Sequence, residues 1–357
     1  MVKQKLRILF LDFSTSLDTI DDLKTKARGG MISSLFHISN FLSTRGHDVE
    51  VLSDIRHSGL TQDGVKWYAR EHAELLTKIQ YDALIINRGT GNGYAELQSK
   101  HRILWTHDLP HNGFAPDPKI FNAFSAVVFM SRYAESIWRT FFSDIGKSFI
   151  IPNGVDKTLF HPRLKDTKYI IFASAPNRGL KRLSFILDAI RARLPEDGIY
   201  MKAFSSMSAM HPNEAKFNDY SDDWNKIKES DVDLCEPLPQ EEFAKELGKA
   251  GLMIIPSDYP EICSNVILQS LASGTPVITT GNLGSAGEWI SNGYNGVLTK
   301  FQPHDYMVYT VEIVRNAVNI FCQPSYQKHL MYNAERTGQL HSWEEIGSKW
   351  ETMLDRL

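Results

Sequence analysis

An apolar strand in this chain ends at Pro256, a short loop carries Glu261, and a helix opens near Ser264. The first turn of any helix leaves its N–H groups without intrahelical partners, and its dipole favours negative charge, so such a start suits a phosphate or sugar hydroxyls. Ile262, Cys263, Ser264 and Asn265 would supply those amides. Glu261 can accept hydrogen bonds from two vicinal sugar hydroxyls. Gln269 follows eight positions later, about two helical turns on, and shares a face with the loop only if the helix points back at the ligand. The same run also fits a plain strand–loop–helix crossover.

A second constellation follows an apolar strand at residues 169–173. It brings Arg178, Gly179, Lys181 and Arg182 to the start of the next helix. Cations in a first turn oppose the helix dipole, which points to a bound anion such as a diphosphate rather than to solvated side chains. Gly29 and Gly30 precede the first long helix and would let the backbone approach a ligand, or simply make a turn. His107 stands at the carboxyl end of a strand, where a neutral imidazole can meet a hydroxyl with either nitrogen or serve as a polar strand end. His101, His107 and His111 do not have the spacing of helix-borne metal ligands. The pair Asp231 and Asp233 falls at a strand entry, away from where a parallel sheet binds ligands.

Strand-length apolar runs alternate with helix-period segments to position these groups. Strands are predicted at 6–13, 48–53, 82–87, 102–106, 126–129 and 148–151, with helices at 31–43, 67–80 and 133–142. A polar stretch at 161–168 breaks the rhythm and reads as a linker. Strands then return at 169–173, 200–204, 232–235, 252–255 and 276–279, with helices at 181–193, 240–249 and 264–272. After Gly296 the chain reads as helical, ending in a helix at 343–357. Strand, crossover helix and strand in repetition predict parallel sheets with helices on both faces. The fold class is therefore α/β, with two Rossmann-like doubly wound domains facing a central cleft. The first spans 1–160 together with a C-terminal helix at 341–357; the second spans 161–340.

With 357 residues, 42% of them hydrophobic, and a net charge of −3, the chain is long enough for two cores and lacks the basic excess of a nucleic-acid binder. Its three cysteines, Cys235, Cys263 and Cys322, show no pairwise metal spacing and fit a reducing compartment. The apolar run at 6–11 is shorter than a signal-peptide core. No segment reaches the roughly 18 uninterrupted apolar residues of a membrane span. A cytoplasmic location follows as the expectation, with peripheral contact at a membrane still compatible.

The run from Glu261 through Gln269 to Gly274, Thr275, Pro276 and Val277 resembles glycosyltransferase family 4, whose signature is Glu, seven residues, Glu, then a Gly-Thr-Pro-Val segment. Here Gln269 replaces the second Glu. The resemblance implies the GT-B fold and transfer of a hexosyl unit from a nucleoside-diphosphate sugar, UDP- or GDP-linked. The acceptor would be a glycan, lipid-linked or protein-linked, with anomeric retention. It implies that Glu261 contacts the donor sugar and that the residue at Gln269 holds the ribose. Arg178 and Lys181, with Arg182 as a substitute, would neutralise the diphosphate. His107 would touch the sugar, Gly29 and Gly30 would admit the phosphate, and Asn153 would lie in the segment where the chain leaves the first domain. No metal and no cofactor beyond the nucleotide sugar are expected. Two other readings stay open: an epimerase or hydrolase of the same fold, and a non-catalytic sugar-nucleotide-binding protein, which Gln269 keeps alive.

Overall fold

The computed structural model describes residues 4–22, 30–61, 63–89, 95–110, 118–206 and 220–357. The chain divides into two compact units, Met1–Gly154 with Trp343–Leu357, and Val155–Ser342.

The first unit is built on an eight-stranded sheet. Its strands are β1 (Arg7–Leu17), β2 (Asp48–Ile55), β3 (Gly59–Leu60), β4 (Lys66–Ala69), β5 (Gln80–Asn87), β6 (Gln98–Trp105), β7 (Ala126–Phe129) and β8 (Ser148–Ile150). They lie in the order β3-β4-β2-β1-β5-β6-β7-β8, and every pairing is parallel except β3 with β4. Side chains alternate between faces along a strand, so Ile8, Phe10, Ile85 and Ile103 line one face and Leu9, Leu11, Leu84 and Ile86 the other. Helix α1 (Gly30–Thr44) covers the first face with Ile32, Leu35, Ile38 and Leu42.

The C-terminal helix Trp343–Leu354 completes the same core through Ile346, Trp350 and Met353. Trp350 meets Trp105 edge-on at 4.8 Å between ring centroids and Phe10 at 6.4 Å, geometries that suit the aromatic quadrupole. A Cβ added at Gly347 would come within 2.2 Å of the Phe41 ring, so only glycine lets this helix approach α1 so closely. Segment 67–80, predicted as a helix, is instead β4, a 3₁₀ turn (Arg70–His72) and a single α-turn (Ala73–Leu76). Trp67 and Ala69 are buried while Lys66 is exposed, a period of two that overrides the helical reading.

The second unit carries a six-stranded, wholly parallel sheet. Its strands are β9 (Asp166–Ala173), β10 (Tyr200–Phe204), β11 (Asp233–Cys235), β12 (Ala250–Ile255), β13 (Val277–Thr280) and β14 (Gly296–Thr299), in the order β11-β10-β9-β12-β13-β14. β14 interrupts the stretch after Gly296 that reads as helical, and β9 begins inside the stretch predicted as linker. Among the helices, α2 (Arg132–Phe141) belongs to the first unit. In the second, α3 (Leu183–Arg191) and the long helix Tyr306–Cys322 cover one face through Leu183, Leu187, Ile313 and Ala317. Helices Gln240–Lys249 and Asn265–Ala272 cover the other through Leu247, Ile267, Leu268 and Leu271. The expected doubly wound α/β architecture is present in both units.

Strand order reverses between β1 and β5 in the first unit and between β9 and β12 in the second. The carboxyl ends of those strand pairs are where open parallel sheets bind ligands.

Candidate functional site

The reversal point of the second unit brings the two sequence constellations together. Beyond β9 the chain makes a 3₁₀ turn (Pro176–Arg178), passes through Gly179, and makes a second 3₁₀ turn (Leu180–Arg182) before α3. Gly179 has φ +102°, and a Cβ there would sit 2.1 Å from the Pro256 carbonyl oxygen. The loop after β9 therefore rests directly on the loop after β12, a contact only glycine permits.

Ion pairs cross the same seam. Arg178 Nε lies 2.5 Å from Glu261 Oε1, and its guanidinium sits 3.5 Å from the centroid of the Tyr259 ring. Asp258 pairs with both Lys181 Nζ (3.3 Å) and Arg182 Nη1 (3.1 Å). The three cations are not equivalent. Arg182 is buried at 2% exposure, and its nitrogens also donate to the carbonyls of Pro256 (3.3 Å) and Pro303 (3.1 Å). It ties loops together inside the unit, whereas Arg178 is partly buried and Lys181 is exposed.

Helix Asn265–Ala272 starts at this seam with Ser264 in extended conformation as its N-cap, and its first turn is closed by Leu268 N–H donating to Ser264 C=O (3.3 Å). Ile262 is buried, Cys263, Ser264 and Asn265 are half-buried, and Gln269 is half-buried one turn further along. The Glu261 loop is held from its other side by Ser285 N–H donating to Glu261 C=O at 2.7 Å. A carboxylate, two cations and a set of helix-start amides thus converge beyond the carboxyl ends of the central strands β9 and β12. That set can hold a diphosphate by charge and a sugar by hydroxyl hydrogen bonds.

In the first unit, Gly30 opens α1, and the Ser34 hydroxyl lies 2.7 Å from the Gly30 carbonyl and 2.8 Å from Asn153 Oδ1. Gly30 and Asn153 are thereby neighbours. Gly29 and His111 lie outside the described residues. His107 follows β6, its ring centroid 4.6 Å from that of Trp105. Its Nε2 is buried and has no hydrogen-bond partner among the described residues, and the residue as a whole is half-buried. Burial, reinforced by the nearby Arg88 guanidinium, pushes its pKa down to about 3, so the imidazole is neutral at physiological pH.

Sequence reasoning missed three contributors. Asp258 and Tyr259 differ from any loop residues only in what folds against them. Arg88 holds φ +63°, a left-handed conformation rare for a residue with a Cβ and costing about 1 kcal/mol or more. Asp108 clamps its side chain, and the Asp108 carbonyl accepts from Trp138 Nε1 at 2.8 Å. Asp231 is an exposed surface partner of Arg191, and Asp233 opens β11 at the amino end of the sheet. Among the described residues no group of three or more His, Cys, Asp or Glu could hold a metal ion, and no helix is long and apolar enough to cross a membrane.

Residues 167–316 match the family model described as "Glycosyl transferases group 1". The match lies within the second unit and includes Arg178, Lys181 and Glu261. No curated protein matches the chain. Sucrose-phosphate synthase from Thermosynechococcus elongatus is similar in structure, with a TM-score of 0.74 at 17% identity over 98% of each chain. Anabaena HepE, in complex with UDP and glucose, gives a TM-score of 0.72 at 16% identity over 99% of this chain and 100% of its own. A glycosyltransferase from Rickettsia africae gives 0.71 at 17% identity over 99% of both chains. The fold is GT-B, and together with the group 1 match it supports a glycosyltransferase.

Proposed function

We propose that the chain is a retaining glycosyltransferase of family 4 type, moving a hexosyl unit from a nucleoside-diphosphate sugar to a hydroxyl of a glycan, lipid-linked or protein-linked acceptor. The second unit binds the donor and the first binds the acceptor. The observation that carries this reading is the convergence of Arg178, Lys181 and Glu261 with the start of helix Asn265–Ala272 at the β9/β12 reversal. UDP and UDP-glucose in the HepE complexes support a UDP-sugar donor.

In this reading the bond between the anomeric carbon and the diphosphate oxygen breaks, and its electron pair departs with the diphosphate. Arg178 and Lys181, with the helix-start amides, stabilise that growing charge. Glu261 orients the hexose through its hydroxyls. The acceptor oxygen bonds to the same face of the anomeric carbon, and its proton passes to the departing phosphate oxygen beside it. Ile262, Cys263, Ser264 and Asn265 line the phosphate, Gln269 bonds the ribose, and no divalent cation is required. Gly30 and Asn153 hold the phosphate-facing backbone of the first unit, and His107 is a neutral hydrogen-bonding group.

Calorimetric titration with UDP and GDP, followed by turnover of the corresponding sugar nucleotides, tests the assignment. Binding of neither nucleotide would overturn it. Release of UDP at the full rate without acceptor would favour a hydrolase. The non-catalytic reading rests on Gln269, whose amide lacks the charge of a carboxylate.

A further inference from the structure

Two cations of the second unit share one carboxylate oxygen. Asp258 Oδ2 lies 3.1 Å from Arg182 Nη1 and 3.3 Å from Lys181 Nζ. The two partners differ in freedom. The Arg182 side chain is 2% exposed and donates to the Pro256 and Pro303 carbonyls. Its guanidinium also sits 5.0 and 5.3 Å from the ring centroids of Tyr306 and Tyr309. The Lys181 side chain is 42% exposed, and among the described residues Asp258 is the only partner of its ammonium.

Asp258 itself is fixed. Tyr259 N–H donates to the Ser257 hydroxyl at 3.1 Å, and that hydroxyl donates to Tyr259 C=O at 3.2 Å. The Ser257 carbonyl in turn accepts from Thr280 Oγ1. Arg182 cannot leave this carboxylate without stranding a buried charge. Lys181 can leave it, because a half-exposed ion pair is weak and Asp258 keeps Arg182 as its counter-charge. The ammonium therefore has two places to be, on Asp258 or on an arriving anion.

Distance makes these two places compete. A phosphate oxygen held by Lys181 at the ~2.8 Å of a charge-assisted hydrogen bond would lie within roughly 6 Å of Asp258 Oδ2, given the 3.3 Å ion pair. Like charges that close repel. Arg182 offsets much of this repulsion by its own contact with the carboxylate. The hold on Lys181 is then the larger of the two ways in which Asp258 opposes the anion.

We propose that Asp258 is a positioning residue: it parks Lys181 while the site is empty and competes with a diphosphate for it, so that the nucleotide left after transfer is held loosely enough to depart. The proposal rests on the glycosyltransferase reading for the nucleotide, whereas the competition itself needs only a diphosphate.

Calorimetric titration of the full chain with UDP, and separately with inorganic pyrophosphate, tests it. Asp258→Asn keeps an oxygen for Arg182 and removes the charge that holds Lys181. It should bind UDP about three- to fivefold more tightly than the wild-type chain, the reach of a half-exposed ion pair. Damage to the structure does not move affinity in that direction. In a Lys181→Ala background the same substitution should change affinity by less than about 1.5-fold. If Asp258→Asn does not fold, Asp258→Asn combined with Arg182→Gln removes the buried pair together and should tighten binding likewise. UDP bound equally or more weakly by the Asn variant would overturn the proposal, as would a tightening that persists undiminished without Lys181. A wild-type chain that binds pyrophosphate but not UDP sinks the nucleotide assignment only, and pyrophosphate then carries the comparison of variants. Binding of neither probe by any of these proteins overturns both.

Discussion

Arg178 and Glu261, 83 positions apart in the chain, meet at 2.5 Å between Nε and Oε1, so the cation assigned to the diphosphate and the carboxylate assigned to the sugar hold each other. Each neutralises the other's charge, and the pair spans the two loops that flank the β9/β12 reversal. A donor must share or open this pair to be gripped. Arg178→Ala and Glu261→Ala should each lower kcat/KM by about 10²–10³-fold, the range for removing one preorganised transition-state partner. The double variant should lose much less than the product of the two, because they act as a unit. Steady-state kinetics on the three variants checks this. Strict additivity would separate the pair.

Arg182 should behave differently from its neighbours. Its guanidinium is buried and bonded to Asp258 and to the Pro256 and Pro303 carbonyls. Arg182→Met leaves those acceptors unmet and should cost roughly 3–5 kcal/mol of stability. Lys181→Ala, at a half-exposed position, should cost under about 1 kcal/mol while weakening UDP binding. Urea unfolding and UDP titration, run on both variants, separate a loop tie from a phosphate contact.

The His107 imidazole, held neutral by burial and by Arg88, has a pKa pushed down to about 3. Its unfolded-state value is near 6.5, so between those values the unfolded chain binds the extra proton. The contribution to stability is therefore complete above about pH 6.5 and is lost as pH falls toward 3. His107→Gln should flatten part of the drop in urea midpoint between pH 7.5 and pH 5. An unchanged slope in the variant would show that other groups set the acid sensitivity.

Gln269→Glu replaces a neutral amide by a charged acceptor at the position assigned to the ribose hydroxyls. Donor affinity should rise by roughly fivefold, the difference between a neutral and a charge-assisted hydrogen bond. Calorimetry with the UDP-sugar measures it. Turnover appearing only in the variant would assign the natural chain to binding without catalysis.

Leaving-group charge is assigned to Arg178, Lys181 and backbone amides. Exhaustive treatment with EDTA should therefore leave turnover within about twofold of the untreated rate. A loss restored by added Mg²⁺ or Mn²⁺ would move that role to a metal ion.

Much of the fold was legible because it rests on short-range patterning. The apolar runs that became β1, β5, β9 and β12 and the helical spacing of α1 are properties of neighbouring residues, and two rounds of strand and crossover helix imply two parallel sheets. Segment 67–80 failed for the reason such readings fail: its apolar residues fit either period until β2 offered β4 an edge to pair with.

What the sequence by itself determined was which chemistry is available: a carboxylate at Glu261, cations at 178, 181 and 182, and glycines that let loops touch. Tertiary structure alone decided how those groups are used. Burial against Pro256 and Pro303 turned Arg182 into an internal tie. The crossing of two loops set Arg178 on Glu261 and Asp258 on both Lys181 and Arg182. The physical reason is that solvation and pairing belong to the space around a side chain, and distant segments create that space.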